Sequence, residues 1–344
     1  MGEVLISVGI VGCGEIAFGY GNPNQPDFGP SIGSLDHASA IREVGGFDVV
    51  ACVDPSSEKL ARAKTVFPMA GLYRTLQDFR DAKVEVDMLV ISSPTEYHEE
   101  ALELAISQDI QAVFCEKPIT DDPQASTRLV DKATAEGMTI SVNFLRLWDD
   151  TMAELRSRIM SGEFGELQAG TGVFVKDITH NGPHMIALLS DLLGPVGINE
   201  GVTCAFARLN GEGNHGACAS LSVAGANVIL HKLDHELYNF FEIELHFEKV
   251  VLRLEDGCRR IVLRKPVPHP EYTKLLYPED ISVFNGNQRM ALANAWREWR
   301  AFFEHGTLMR RDINWMLSQE MICHQIKAMM VEKNGDDALT KGIS

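Results

Sequence analysis

The stretch "VGIVGCGEIAFG", residues 8–19, decides the fold of the first part of the chain. A β-branched apolar run leads into a turn with the pattern G-x-G-x-x-A. In such a turn the first glycine permits a tight bend, the second lets backbone N–H groups approach a pyrophosphate, and the small last residue lets helix and strand pack closely. We therefore expect a dinucleotide here, with its phosphates at the start of the helix; a glycine turn without a ligand is the alternative. The expected cofactor-binding residues of this turn are Gly12, Gly14, Glu15, Ile16 and Ala17.

A dinucleotide-binding turn also calls for an acid about 20 residues further on, at the end of the second strand. Asp54, in "VVACVDPS", lies 37 positions after Ala17, and without the 16 Gly- and Pro-rich residues 19–34 the spacing is 21. Asp54 then fits as the acceptor for the ribose hydroxyls of the cofactor. Because neither Arg nor Lys follows it directly, NAD is favoured over NADP. Two alternatives stay open: Asp54 only caps the next helix, and the insertion is either a lid or a surface loop.

The alternation of strand-like and helix-like stretches predicts two domains. In the first third of the chain, short β-branched runs alternate with runs whose apolar residues have helical spacing, which is typical of parallel strands joined by right-handed crossovers. From about residue 165, longer strand-like stretches separated by Gly or Asp turns indicate antiparallel hairpins, and two helical stretches follow. We predict an α/β chain: a parallel, doubly wound sheet in residues 1–122 and an α+β domain in residues 123–344 with an open, largely antiparallel sheet and C-terminal helices.

Composition excludes several classes of partner. The chain of 344 residues carries 31 Lys and Arg against 48 Asp and Glu, a net charge of −17, so neither nucleic acid nor an anionic membrane is an expected partner. No apolar run approaches the roughly 18 residues of a membrane helix, and the N-terminus lacks the basic region of a signal peptide. The seven scattered cysteines include no C-x-x-C pair, which suits reduced thiols. These features predict a cytoplasmic protein.

The stretch "FCEKPIT" is the most informative in the chain. Glu116, Lys117 and Pro118 follow the apolar run "IQAVFC", and ligands of open parallel sheets bind where the strands end. Lys117 is therefore expected to lie where a ligand binds. The alternative is a surface lysine paired with Glu116.

Together these motifs resemble the Gfo/Idh/MocA oxidoreductases, the family of glucose-fructose oxidoreductase and inositol dehydrogenase. The glycine turn, Asp54, "SSPTEYH" (92–98), "CEKP" (115–118), "VNFLRLW" (142–148) and "NGPH" (181–184) occur in that family's order and spacing. The resemblance implies an N-terminal Rossmann domain that binds NAD(P) and a second domain that often forms an oligomer interface, hence a homo-oligomer, dimer or tetramer. It also implies hydride transfer to or from a hydroxyl or ketone of a sugar, cyclitol or sugar nucleotide.

The resemblance assigns roles to individual residues. Lys117 matches the lysine beside the nicotinamide and the reacting oxygen, and His184 matches the active-site histidine, which could accept the hydroxyl proton. The residues that match the cofactor-lining loops are Ser93, Pro94, His98, Glu116 and Lys117. Many family members have an aspartate four residues before the histidine, and here His180 takes that place. His180 is therefore a third catalytic candidate, which could orient His184 or bond a substrate hydroxyl but supplies no fixed negative charge. A purely structural histidine at the start of a helix is the alternative for His184.

Two further readings concern binding. His180 and His184 are four apart, a spacing that suits zinc on one helix face, but Gly182-Pro183 interrupts the helix and no third ligand is evident, so we expect no metal. Asn143, Arg146 and Trp148 follow the next strand and are candidates for substrate binding, with His184; packing at the domain junction is the alternative for these three.

Two other functions stay open beside a dehydrogenase. Some relatives retain NAD and cleave glycosidic bonds by transient oxidation, and a relative in galactose regulation senses nucleotide without catalysis. A sensor would tolerate the loss of Lys117 and His184, and both residues are present.

Overall fold

A computed structural model describes residues 5–19, 34–199, 207–208, 215–237, 239–272 and 274–340. Nearly all of the insertion after the glycine turn therefore lies outside the described residues, and so does the question of whether it forms a lid. The chain divides into two compact units. The first comprises Met1–Trp148 and Arg289–Ser318, and the second comprises Asp149–Gln288 and Gln319–Ser344.

The first unit is built on a six-stranded sheet in which every neighbouring pair is parallel. Its strands are β1 (Ile6–Val11), β2 (Phe47–Val53), β3 (Gly71–Tyr73), β4 (Met88–Ile91), β5 (Ala112–Cys115) and β6 (Thr139–Val142). Their order is β3-β2-β1-β4-β5-β6, so the chain reverses its direction of winding between β1 and β4. Ligands of such sheets bind at that point, beyond the carboxyl ends of the strands. The predicted parallel sheet is confirmed.

Helices connect these strands, and their starts carry the side-chain caps that local sequence favours. They are α1 (Glu15–Phe18), α2 (His37–Val44), α3 (Ser57–Val66), α4 (Leu76–Asp81), α5 (His98–Ser107) and α6 (Pro123–Ala135). Asp36 accepts the N–H of Ser39 at the start of α2, and Asp122 accepts that of Gln124 at the start of α6. These caps satisfy backbone donors that the first turn of a helix leaves unpaired. All residues of β4 and β5 are buried, as expected for parallel strands covered on both faces.

The boundary between the units differs from the one expected after residue 122. Strand β6 pairs with β5 in parallel, and α6 packs against β6, so this helix and strand extend the first sheet by one more crossover. The first unit therefore runs to Trp148. It also takes up residues 289–318, which include nearly all of α9 (Gln288–His305).

The second unit contains a nine-stranded sheet. Its strands are β7 (Leu167–Val175), β8 (Val196–Ile198), β9 (Ala207–Arg208), β10 (His215–Val223), β11 (Ala226–Leu233), β12 (Phe241–Phe247), β13 (Val251–Glu255), β14 (Arg260–Pro268) and β15 (Leu276–Asn285). The order is β15-β14-β13-β12-β7-β11-β10-β8, with β9 also paired to β10, and β7–β11 is the one parallel pair among the described strands of this second sheet. The prediction of a largely antiparallel sheet is confirmed.

Helices complete the second unit: α7 (Asp150–Met160), α8 (Gly182–Leu193) and α10 (Ile313–Thr340), of which the residues up to 318 belong to the first unit. The core of this unit includes Val228 and Leu245 of the sheet and Leu188 of α8, all with no exposed surface. Each such side chain contributes about 1.5–3 kcal/mol on burial. In the described part of the chain, no helix is both long enough and apolar enough to cross a membrane.

Candidate functional site

The glycine turn lies directly against the loop that follows β4. Gly12 donates its N–H to Val53 O at 2.8 Å, and its φ is +89°. A Cβ on Gly12 would lie 2.3 Å from the backbone nitrogen of Ser93. Both the backbone conformation and the close approach therefore require glycine, as the sequence pattern indicates.

The other side of the turn has the features of a ligand cradle. A Cβ on Gly14 would meet no atom within 4 Å, so the space before the turn is open. The hydroxyl of Ser93 is buried and has no hydrogen-bond partner among the described residues. Ala17 is fully buried, as the packing of helix on strand demands. Open space beside backbone N–H groups and an unused hydroxyl fit the diphosphate of a dinucleotide. Because α1 has only four residues, its dipole adds little to these N–H groups.

Asp54 connects the end of β2 to the glycine turn. Its Oδ2 accepts the N–H of Cys13 at 2.8 Å, its Oδ1 accepts the N–H of Ser56 at 2.9 Å, and the residue is 5% exposed. The side chain that caps α3 belongs to Ser56, which accepts the N–H of Lys59, so capping is not the role of Asp54. Each carboxylate oxygen retains a lone pair that a ribose hydroxyl can use.

Lys59 lies close to Asp54, and sequence reasoning did not identify it as a candidate for cofactor binding. Its Nζ lies 3.8 Å from Oδ2 of Asp54, and its side chain is 51% exposed. The lysine stands five positions after the acid, because one turn of α3 returns it to the same edge. A search limited to the residues directly after Asp54 does not find it.

Cys13, inside the turn, is a packing residue and not a nucleophile. A hydrogen bond with Cys52, burial, and the negative charge of Asp54 together raise the pKa of the Cys13 thiol far above its ordinary value. A thiol that stays protonated is unreactive. None of the five cysteines whose side chains are described takes part in a disulfide.

The EKP segment continues from β5 at the same edge of the sheet. Glu116 donates its N–H to Ile91 O at 2.8 Å, and its Oε1 accepts Nδ2 of Asn143 at 2.7 Å and lies 3.3 Å from Nε2 of His37. Burial alone would raise the pKa of Glu116, but the hydrogen bond from His37, a positive charge on His37, the hydrogen bond from Asn143 and the charge of Lys117 together lower it. Glu116 is therefore a carboxylate next to the Lys117 ammonium group.

His98 links the two loops that border the site. Its Nδ1 lies 2.8 Å from Pro118 O and its Nε2 lies 2.9 Å from Ser93 O, while the residue is 1% exposed. The imidazole therefore lies beneath the loops and holds the Ser93 backbone against the segment that carries Lys117. Pro94 starts the short 3₁₀ turn that leads to His98.

The other predicted residue of the chemistry, His184, lies in the second unit at the start of α8. Gly182 begins this helix, and a Cβ there would lie 2.7 Å from Cδ1 of Ile178 and 3.1 Å from Sγ of Cys323. Pro183 occupies the first turn, where its missing N–H costs nothing. Of the twelve residues of α8, His184 alone is not buried.

His180 and His184 do not share a helix face. His180 donates its N–H to Asp177 O at 3.0 Å, in a turn before the helix, and Asn181 is the residue that precedes the first helical position. The carboxylate of Asp177 is bound instead by Lys327, whose Nζ lies 2.9 Å from Oδ2. Burial is the largest single effect and raises the pKa of Asp177, but the hydrogen bonds from Lys327, the Ile178 N–H and Thr179, together with the charge of Lys327, lower it overall. Within the described ranges, no group of three or more His, Cys, Asp or Glu side chains could hold a metal ion.

Two of the three substrate-binding candidates have packing roles within the first unit. Asn143 is 3% exposed and donates to Glu116, and Trp148 is fully buried against Phe114, with the guanidinium of Arg310 at 5.2 Å from its ring centroid. These contacts favour the packing interpretation for both. Arg146 is partly exposed, so substrate contact stays a prediction for this residue. His37, which contacts Glu116, was missed because no motif or spacing distinguishes it in the sequence.

Residues 6–144 match the family model GFO_IDH_MocA, described as an oxidoreductase family with an NAD-binding Rossmann fold. The first domain of the chain is therefore similar to the NAD-binding domain of the Gfo/Idh/MocA oxidoreductases. The resemblance drawn from the motifs is thereby confirmed, and with it the prediction of a domain that binds NAD.

Similarity to individual curated proteins extends over part of the chain. Inositol 2-dehydrogenase 4 of Saccharopolyspora erythraea is 34% identical over 143 residues, which are 40% of each chain. The chain thus covers about two fifths of the length of this curated relative.

Two solved structures of similar fold cover nearly the whole chain. The WlbA dehydrogenase from Bordetella pertussis, in complex with NADH and UDP-GlcNAcA, has a TM-score of 0.71 at 19% identity, covering 93% of this chain and 95% of that one. A 3-ketoreductase from Actinomadura kijaniata, in complex with TDP-benzene and NADP, has a TM-score of 0.71 at 17% identity, covering 93% and 96%. At these identities the likeness concerns the fold of both units.

Proposed function

We propose that this protein is an NAD-dependent dehydrogenase or reductase that acts on a CH–OH group or the corresponding ketone. One observation carries the proposal: Lys117 follows β5 at the carboxyl edge where the glycine turn follows β1 and Asp54 follows β2. A cationic side chain at the edge that holds a nicotinamide cofactor has a chemical use, because hydride transfer to or from carbon changes the charge on the attached oxygen.

Several residues of the first unit would hold NAD. The backbone of the Gly12–Gly14 turn would bind the diphosphate, the carboxylate of Asp54 the ribose hydroxyls, and the hydroxyl of Ser93 another polar group of the cofactor. When bound, NAD accepts or supplies the hydride. The carboxylate of Asp54 opposes a 2′-phosphate, whereas Lys59 attracts one, so we propose a preference for NAD with weaker binding of NADP.

The two remaining roles belong to Lys117 and His184. The ammonium group of Lys117 binds the substrate oxygen and stabilises its charge, while the nearby carboxylate of Glu116 favours the protonated form of the lysine. The imidazole of His184 accepts the proton that the hydroxyl loses, or returns it in the reverse direction. His180 supplies no carboxylate behind His184, so we propose that these two residues carry the proton and charge chemistry.

The proposed substrate is a sugar, cyclitol or sugar nucleotide. Support comes from the relatives: one is named as an inositol dehydrogenase, and two neighbours of similar fold were solved with UDP-GlcNAcA or TDP-benzene. We also propose that the protein acts in the cytoplasm as a homo-oligomer, a dimer or tetramer, with no nucleic acid partner.

The test begins with fluorescence titration of the purified protein with NADH and NADPH. A panel of cyclitols, free sugars and nucleotide-linked sugars is then followed at the absorbance of reduced nicotinamide. We expect tighter binding of NADH and turnover of at least one panel member. Cofactor binding without any redox turnover would favour the glycosidase or sensor, and absence of binding would contradict the proposal.

A further inference from the structure

A buried chain of hydrogen bonds ends on the carboxylate next to Lys117. The indole Nε1–H of Trp296, on α9, donates to Nδ1 of His37 at 3.2 Å. Nε2 of His37 lies 3.3 Å from Oε1 of Glu116, which also accepts Nδ2 of Asn143 at 2.7 Å. All four residues belong to the first unit, and neither Trp296 nor His37 has any exposed surface.

The contact with Trp296 determines which nitrogen of His37 carries the hydrogen. An indole N–H can only donate, so Nδ1 must accept and carries no hydrogen. The imidazole is then neutral, with its single hydrogen on Nε2, directed at Glu116. The ring has little freedom to flip, because Phe114 packs against it edge-on with centroids 5.1 Å apart and planes at 88°.

A neutral donor has a different effect on Glu116 from a cationic one. A histidinium would pair with the carboxylate and compete with Lys117 for its charge. A neutral N–H instead orients the carboxylate and leaves its negative charge to act on the ammonium group. Two titratable groups lower the pKa of Glu116, His37 from α2 and Lys117 from the adjacent position. A charge on His37 would add to the effect of its hydrogen bond, but the bond from Trp296 leaves Nδ1 without a hydrogen, so only the lysine keeps a charge in this arrangement.

We propose that His37, held by Trp296 as the neutral Nε2–H tautomer, is a positioning residue that acts through Glu116 to hold the ammonium group of Lys117 in place. The inference rests on the proposed function, since it assigns the network a purpose in hydride transfer. No part of it depends on the second unit.

The tautomer is tested on the full-length protein by ¹⁵N NMR of labelled histidine side chains, with the signals of His37 assigned by their loss in His37→Gln. We expect one protonated nitrogen, Nε2, and one unprotonated nitrogen, Nδ1, at every pH where the enzyme is active. Trp296→Phe should change these shifts. A histidinium, or a hydrogen on Nδ1, in the wild-type protein would overturn the inference.

Trp299→Phe is the matched control for Trp296→Phe. Trp299 lies one turn further along α9 and is equally buried, but its Nε1 has no hydrogen-bond partner among the described residues. Both variants lose an indole N–H and part of a ring, and only Trp296→Phe loses a bond to His37. Equal changes of the His37 shifts in the two variants would mean that packing alone is responsible.

The effect on Lys117 is measured without relying on activity. Acetylation of Lys117 by acetic anhydride, followed across pH by peptide mass spectrometry, reports how strongly its ammonium form is favoured. In His37→Leu a loosened carboxylate should favour that form less, so labelling should begin at lower pH than in wild type. His37→Gln, whose Nε2 can still donate, should restore the wild-type profile. Identical profiles in wild type and His37→Leu would overturn the positioning role.

Kinetics complete the test. We expect kcat to fall about 10-fold or more in His37→Leu, the loss of a hydrogen bond to a charged group, with the KM for NADH little changed. His37→Gln should recover most of kcat. Equal losses in the two variants would overturn the inference. If the wild-type protein turns over no substrate, the proposed function fails, while the ¹⁵N shifts and the labelling profile still decide the inference.

Discussion

Oδ2 of Asp54 accepts the backbone N–H of Cys13 at 2.8 Å, which joins the end of the second strand to the middle of the glycine turn. The residue proposed to select the cofactor thus also shapes the cradle for its phosphates. Substitution of Asp54 therefore affects both binding and stability, and the two effects must be measured separately.

We expect Asp54→Asn to weaken NADH binding about 10-fold or more and NADPH binding much less. The amide keeps one oxygen acceptor for the turn but loses the charge that binds ribose hydroxyls and opposes a 2′-phosphate. Fluorescence titration with each cofactor gives the two dissociation constants. Lys59→Met is the matched variant and should weaken the binding of NADPH while leaving that of NADH unchanged. Equal losses for both cofactors in Asp54→Asn would remove its role in selection.

Gly12 and Gly14 provide a matched pair for the glycine turn. A methyl group at Gly12 would meet the backbone of Ser93 at 2.3 Å and φ is +89°, so Gly12→Ala should destabilise the protein by about 2 kcal/mol or more. Gly14→Ala meets nothing within 4 Å, so its melting temperature should stay near that of wild type while NADH binding weakens. Thermal unfolding and titration distinguish them. Unchanged NADH affinity in Gly14→Ala would place the diphosphate elsewhere.

Glu116 should contribute a pH-dependent part of the free energy of unfolding. Its pKa in the folded protein lies below its ordinary value of 4.5, so the carboxylate binds protons less readily when folded. The stabilisation is therefore complete above about pH 4.5 and is lost as the pH falls through the folded pKa. Urea unfolding of wild type and Glu116→Gln between pH 3 and 7 measures it, with the exposed Glu136→Gln as control. If the unfolding free energy of Glu116→Gln fell with decreasing pH as steeply as that of wild type, the lowered pKa would be contradicted.

His184→Ala should lower kcat by orders of magnitude, about 10²- to 10⁴-fold, while the fold and the binding of NADH are retained. His180→Ala, in the turn before the helix, should lower kcat much less, because His180 is not the proposed base. Steady-state kinetics across pH compares the two variants. Near wild-type turnover in His184→Ala would exclude it as the base, and a larger loss in His180→Ala would reverse the assignment.

The fold could be predicted from sequence because its signals are local. The apolar runs of β4 and β5 are buried on both faces, and a glycine turn follows the first strand. The spacing of apolar residues and the turn residues between strand and helix therefore identify a parallel sheet. Loops at the carboxyl edge follow from the same topology, which is why Asp54 and Lys117 could be placed together. The domain boundary was harder to place, since α6 and β6 look like any other crossover.

Contacts between distant segments could not be predicted in the same way. His37 and Glu116 are 79 positions apart, and His37 and Trp296 are 259 apart, so no spacing rule connects them. Trp148 was a candidate for substrate binding because it follows a strand end, but its ring packs on Phe114. A motif predicts the position of a residue in the fold, such as the end of a strand, whereas tertiary packing determines which groups its side chain contacts.

In the proposed reaction Lys117 carries the chemistry while other residues hold NAD. The most direct test compares Lys117→Ala with wild type by NADH titration and by kcat on whichever substrate the panel identifies, with the exposed Lys132→Ala as control. We expect NADH affinity within about threefold of wild type in both variants, and turnover lower by orders of magnitude in Lys117→Ala alone. Near-full kcat in Lys117→Ala would contradict this role.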